Sequence, residues 1–165
     1  VSAEAAGSGS GNGHTPAEQS NIDLVREYIE ISYTPGRASA QAVEHLCAPN
    51  NRFIAPTTFP DVHTLEDYAE DHGRLMEQVD DLHIVSFDVL FAKDDRVCVR
   101  YSAEGTHGGK PHGDTQPTGR TARWSAAALF VVQDGKLAEF IKEWNKLSMW
   151  EQLGWPTREC LSHTG

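Results

Sequence analysis

A chain of 165 residues with 39% apolar content is long enough for one domain with a full core, and no apolar run reaches the length of a membrane span. A formal charge of −10 argues against nucleic-acid binding, which needs a basic surface. Cys47, Cys98 and Cys160 are odd in number and scattered, which reads as free thiols in the reducing cytoplasm rather than a disulfide framework or a zinc site.

Residues 1–14 are mostly Gly, Ser, Ala and Asn and are expected to form a flexible tail, with one α+β domain over 15–165. Thr15-Pro16-Ala17-Glu18 has the form of a capping box with proline at the first helical position, and Ser20-Asn21-Ile22-Asp23 offers a second start. Ile22, Val25, Ile29 and Ser32 then share one helical face, and Pro35-Gly36 ends the helix. A short helix fits Ser39 to Cys47. Arg52–Ala55 reads as a short strand. Thr64 caps a third helix, whose apolar face is Leu65, Tyr68, His72, Leu75 and Val79.

From His83 the period changes to two. His83, Val85, Phe87, Val89 and Phe91 fall on one face, with Asp88 on the other. Asp94-Asp95 turns the chain into Val97–His107. A Gly/Pro loop leads to Thr121–Gln133, and Asp134-Gly135 turns tightly into Lys136–Asn145. Lys146–Gly154 reads as a last short helix. Helices first, then an antiparallel meander, is the α+β layout; curved into a cone, such a sheet offers its mouth as a ligand site.

Four short motifs occur in order: Gly105-Thr106-His107, Pro117-Thr118-Gly119-Arg120, Asp134-Gly135-Lys136 with Glu139, and Gln152-Leu153-Gly154. In these motifs the stretch Ile22–Pro156 resembles the SnoaL-like polyketide cyclases, of the superfamily with the nuclear transport factor 2 fold. The resemblance implies a cone-shaped curved antiparallel sheet closed by N-terminal helices, and a homodimer formed through the sheet's outer face. It also implies ring closure by intramolecular aldol condensation with no metal or cofactor, on a hydrophobic small molecule. One departure stands out. The family's catalytic aspartate falls on Asn145, which cannot take a proton at neutral pH.

Three residues are candidates for the chemistry. If Asn145 faces the cavity, strand alternation places Leu137, Glu139, Ile141 and Glu143 on the same face. Glu143 is then either an acid/base group raised by desolvation or a solvated strand-end glutamate. His107 either moves a proton or pins the following loop through its ring nitrogens. Asn145 either donates to a developing oxyanion or caps the final helix. His107 and His112 lack a third ligand and make a poor metal pair. Tyr33, Tyr101, Met149 and Trp150 are the expected substrate-binding residues. Two functions remain open: a cofactor-independent cyclase, isomerase or dehydratase acting on an apolar carbonyl compound, and a non-catalytic small-molecule binder. Neither needs a membrane or nucleic-acid partner.

Overall fold

The computed structural model describes residues 13–160. Helix α1 spans Pro16–Ser32 and starts at the first of its two candidate caps. Thr15 Oγ1 accepts from the Glu18 amide at 3.1 Å, and Glu18 Oε1 accepts from the Thr15 amide at 2.9 Å. The second Glu18 oxygen accepts from the Asp94 amide at 2.7 Å, which fixes the helix start to a strand turn far along the chain. The expected tail at residues 1–14 lies outside the described residues, except for Gly13 and His14. His14 Nε2 accepts from the Ala92 amide at 3.2 Å.

The second helix is shorter than expected. Ser39 caps α2, Ala40–Val43, and one 3₁₀ turn, Glu44–Leu46, leads straight into β1, Cys47–Ile54. Helix α3, Leu65–Gln78, is capped by Thr64 and buries Leu65, Tyr68, Ala69, His72 and Met76. Then come β2 (His83–Lys93), β3 (Arg96–Thr106), β4 (Thr121–Gln133) and β5 (Lys136–Trp144), followed by α4 (Lys146–Leu153) and α5 (Thr157–Cys160). Asp134 and Gly135 have φ of 51° and 73°, the left-handed pair that a two-residue hairpin requires.

The sheet is a curved, unclosed sheet of five strands in the order β1-β5-β4-β3-β2. The four-strand meander is there, and β1 joins it in parallel with β5. Helices α1 and α3 pack against the sheet's inner face, which makes the molecule α+β. Val97, Val99, Tyr101 and Ala103 of β3 point into this core, as do Ala126, Ala128 and Phe130 of β4.

Bulges alter the face assignments read from strict alternation. Strand β2 shifts register twice, between Ile84 and Ser86 and between Phe87 and Val89. Val85, Val89 and Phe91 therefore stay exposed, while Phe87 packs inward beneath Arg26. Strand β5 shifts once. Val131 pairs with Glu139 and Val132 with Leu137, so Ala138 is the extra residue. Beyond it, Phe140, Lys142 and Trp144 face inward, opposite Phe130, Ala128 and Ala126. The expected cavity face of Leu137, Glu139, Ile141, Glu143 and Asn145 therefore breaks at Ala138. Glu143 is exposed on the outer face, opposite Ala127.

Candidate functional site

A pocket of about 270 Å³ opens between the loop after β1, the middle of α3, and α4. Trp144, Met149, Trp150 and Trp155 form much of its wall, with Phe59 and Leu75. Met149 and Trp150 are thus among the lining residues. The sequence signal for this wall was the density of large apolar side chains around α4. Asp71, His112 and Lys146 bring titratable groups to the same cavity. A second cleft of about 280 Å³ lies between Arg52–Pro56 and His63, and its titratable side chains, Arg52 and His63, are both exposed.

His112 forms part of the wall by stacking. Its ring lies parallel to the Trp155 indole, with centroids 3.9 Å apart, and meets Trp150 edge-on at 4.7 Å. Its Nδ1 donates to the side-chain oxygen of Gln78 at 2.9 Å. Burial holds the imidazole below its ordinary value of 6.5, and the nearby His107 acts in the same direction. Asp71 is pushed the other way: burial raises its carboxyl above the ordinary 3.8, against the lowering influence of Arg74. Lys146 donates from Nζ to the Thr58 carbonyl at 3.1 Å and lies 5.2 Å above the Trp150 ring, so it holds the Phe59-bearing loop against α4.

His107 is fully buried beside this wall, with both ring nitrogens engaged. Nε2 donates to the Lys110 carbonyl at 2.9 Å. Nδ1 accepts from the Trp155 indole N–H at 3.0 Å and lies 3.3 Å from the Thr118 amide. One imidazole thus ties together both ends of the 107–118 loop and the indole that backs the pocket. His107 does not line the pocket. Asn145 is exposed, and its Oδ1 accepts from the Ser148 amide at 2.9 Å, which caps α4. His107, Glu143 and Asn145 therefore do not converge on one cavity. The bulge at Ala138 separates Glu143 from it, and local hydrogen bonding occupies the other two side chains.

Tyr33 and Tyr101 lie one layer deeper, in a buried cluster that the sequence did not single out. Its centre is Lys142. The amine donates to the Tyr68 hydroxyl at 2.9 Å and the Tyr33 hydroxyl at 3.3 Å, and Tyr33 in turn bonds Tyr101 at 2.8 Å. The amine also sits over four rings: Trp144 at 4.6 Å, Tyr68 at 5.1 Å, Phe59 at 5.4 Å and Tyr33 at 5.9 Å. No carboxylate pairs with it among the described residues. Burial alone brings Lys142 from the ordinary 10.5 to about 7, so near neutral pH a large share of the amine is uncharged. Next to it His72 is held at about 3, by burial and by the Lys142 charge, and its Nδ1 donates to the Ser32 carbonyl at 2.6 Å. Burial also raises the hydroxyls of Tyr33, Tyr68 and Tyr101, so they serve as neutral donors and acceptors.

Phe59 and Trp144 separate the two regions. Their rings stack 5.9 Å apart at 22°, each lining the pocket on one side and covering the Lys142 amine on the other. The Trp144 indole N–H is buried without a hydrogen-bond partner. A signal for this arrangement did exist in Phe140-Ile141-Lys142-Glu143-Trp144. Period two puts a lysine between two aromatics on one face.

No curated protein matches this chain. Among solved structures, it resembles a SnoaL-like polyketide cyclase from Jannaschia sp. CCS1, with 18% identity over 88% of this chain and 99% of that one, and a TM-score of 0.70. It also resembles IdmH, assigned as a polyketide cyclase, from Streptomyces antibioticus (21% identity; 81% of this chain and 98% of that one; TM-score 0.68). A third is a protein of ketosteroid isomerase-like fold from Catenulispora acidiphila, solved with trimethylamine (14% identity; 88% and 98%; TM-score 0.62). These likenesses show the nuclear transport factor 2-like fold. The model of the SnoaL-like polyketide cyclases matches residues 22–153, most of the chain including every strand of the sheet, and by that match the chain belongs to this family.

Proposed function

We propose that this protein is a cofactor-independent acid/base enzyme that binds an apolar carbonyl compound in the aromatic pocket and cyclises, isomerises or dehydrates it. One observation carries the reading: the same apolar cavity holds an imidazole kept uncharged by burial, His112, and a carboxyl raised by burial, Asp71. An apolar pocket with a few convergent polar groups of shifted proton affinity is the usual signature of a site for small-molecule chemistry. His112 would take the proton α to the carbonyl. Asp71 would return a proton to the oxygen or to the leaving hydroxyl. Trp150 and Met149 would hold the planar part of the substrate. Acid/base assistance of this kind is worth about 10²–10⁴ in rate.

The aspartate position of the family, Asn145 here, would then serve the fold as a helix cap. The exposed apolar side chains of the outer sheet face support a homodimer, and three free thiols fit a reducing compartment such as the cytoplasm.

The flush stacking of His112 on Trp155 favours a second reading, in which the imidazole is only wall and the protein binds its ligand without changing it. Exchange of α-hydrogens separates the two. A cyclic aromatic ketone in D₂O is followed by proton NMR, with indole fluorescence reporting binding. The enzyme reading expects catalysed exchange that falls by about 10² or more in His112→Gln. Binding without exchange would establish the binder.

A further inference from the structure

The amine of Lys142 has no role in that proposal, and its surroundings are unusual. It is 2% exposed, has no paired carboxylate among the described residues, and carries hydroxyls at 2.9 and 3.3 Å. A lysine kept only for packing has a simpler replacement in methionine or leucine, which bury no amine. The stacked pair Phe59 and Trp144 lines the pocket and also lies against this amine, at 5.4 and 4.6 Å. Phe59 belongs to the loop after β1, not to the sheet. Its amide donates to the Ala55 carbonyl at 2.8 Å, so the ring is presented from a single loop turn. Trp144 is the last residue of β5, two positions from Lys142 on the same face.

We propose that Lys142 is an imine-forming lysine, and that the pocket admits aldehydes or unhindered ketones to it when Phe59 swings off Trp144. The proposal rests on the pocket being a carbonyl site and adds a covalent step at a residue the acid/base reading does not use. The lone pair of the uncharged amine attacks the carbonyl carbon, and a C–N bond forms as the C–O π pair moves to oxygen. A proton leaves nitrogen for that oxygen, giving a carbinolamine. Tyr68, in hydrogen-bond contact with the amine, donates its hydroxyl proton to the departing oxygen as the C–O bond breaks. The remaining N–H proton returns to the tyrosine oxygen as the C=N bond forms. One water is released, and nothing is oxidised or reduced. Burial supports the step, since it leaves much of the amine unprotonated near pH 7 while surface lysines stay almost wholly charged.

Reductive trapping tests this. The full chain is incubated at pH 7 with benzaldehyde and cyanoborohydride, and the lysines that carry a benzyl group are mapped by peptide mass spectrometry. Lys93, Lys110, Lys136 and Lys146 serve as internal controls. The expected result is benzylation at Lys142 exceeding that at each other lysine by at least about tenfold, in line with its uncharged fraction. Phe59→Ala should increase this labelling, and Lys142→Arg should abolish it. Lys142→Met covers the case in which the arginine variant does not fold. Equal labelling of all five lysines, or none at Lys142 in both the wild type and Phe59→Ala, overturns the proposal. Catalysed α-exchange of the ketone without any Lys142 adduct leaves the acid/base reading standing and removes only the imine. A Lys142 adduct together with undiminished exchange in His112→Gln keeps the imine and removes the histidine as base.

Discussion

The amine of Lys142 and the hydroxyl of Tyr68 lie 2.9 Å apart inside the cone, and no carboxylate balances the amine when it is protonated. Protonation therefore works against folding. The folded lysine titrates near 7 and the unfolded one near 10.5, so between these values the unfolded chain binds more protons. Stability should rise with pH through that window and be lowest below pH 7. Lys142→Met should stabilise the fold by on the order of a few kcal/mol at pH 6, with most of that gain lost by pH 10. Urea unfolding at the two pH values checks this, and destabilisation of equal size at both would show the amine to be a net support.

A pH profile of turnover should report His112. Burial holds this imidazole below 6.5, so the acid limb of kcat/KM should have its midpoint under that value rather than at it. In His112→Gln the limb should disappear along with most of the activity. A limb unchanged by the substitution would assign it to another group.

Replacing Asn145 by alanine removes the oxygen that accepts from the Ser148 amide. The expected cost is about 1 kcal/mol of stability, read by thermal or urea unfolding, with turnover nearly unchanged. A hundredfold loss of turnover in a well-folded variant would restore the amide to a part in the chemistry.

His107→Ala should behave very differently. It leaves the Trp155 indole N–H and the Lys110 carbonyl without the partners they now have. A loss of about 2–4 kcal/mol is expected, together with weaker ligand binding as Trp155 and the His112 stacked on it lose their support. Calorimetry with and without ligand measures both effects.

The outer sheet face should bury itself in a dimer. Phe91 and Leu129 are 48% and 50% exposed there, with Val85 and Val89 close behind. Leu129→Glu should shift sedimentation toward the 18.2 kDa monomer while circular dichroism stays native. A wild type that sediments as a monomer at micromolar concentration refutes the dimer.

Helices α1, α3 and α4 and the limits of β2 to β5 were legible because local chemistry sets them, whereas α2 is shorter than expected and α5 was not anticipated. Thr15, Ser39 and Thr64 each announce a helix by type and spacing, and Asp134-Gly135 can hardly be other than a hairpin turn. The inner face of β5 was not legible. Its phase depends on one extra residue at Ala138, and nothing about an alanine marks it as a bulge. One shifted position exchanges Glu143 for Lys142 on the inner face of the sheet, and with it a carboxylate for an amine. Asn145 and His107 were each readable in two ways. The choice between them depended on partners elsewhere in space: the Ser148 amide for one, the Trp155 indole and the Lys110 carbonyl for the other.

The two border strands of the sheet, β1 and β2, also bear on how copies of the chain can meet. Strand β1 carries Pro49, which has no N–H to offer, and its Phe53 amide already donates to the His63 carbonyl. Strand β2 is kinked by two bulges, and its Ala92 amide is taken by His14. Neither rim presents an unbroken row of free backbone groups onto which another strand could zip. Growth of a continuous intermolecular sheet, the first step toward fibrils, is thereby blocked at both ends. That leaves side chains on the broad face, and the dimer predicted there would close after two copies instead of propagating.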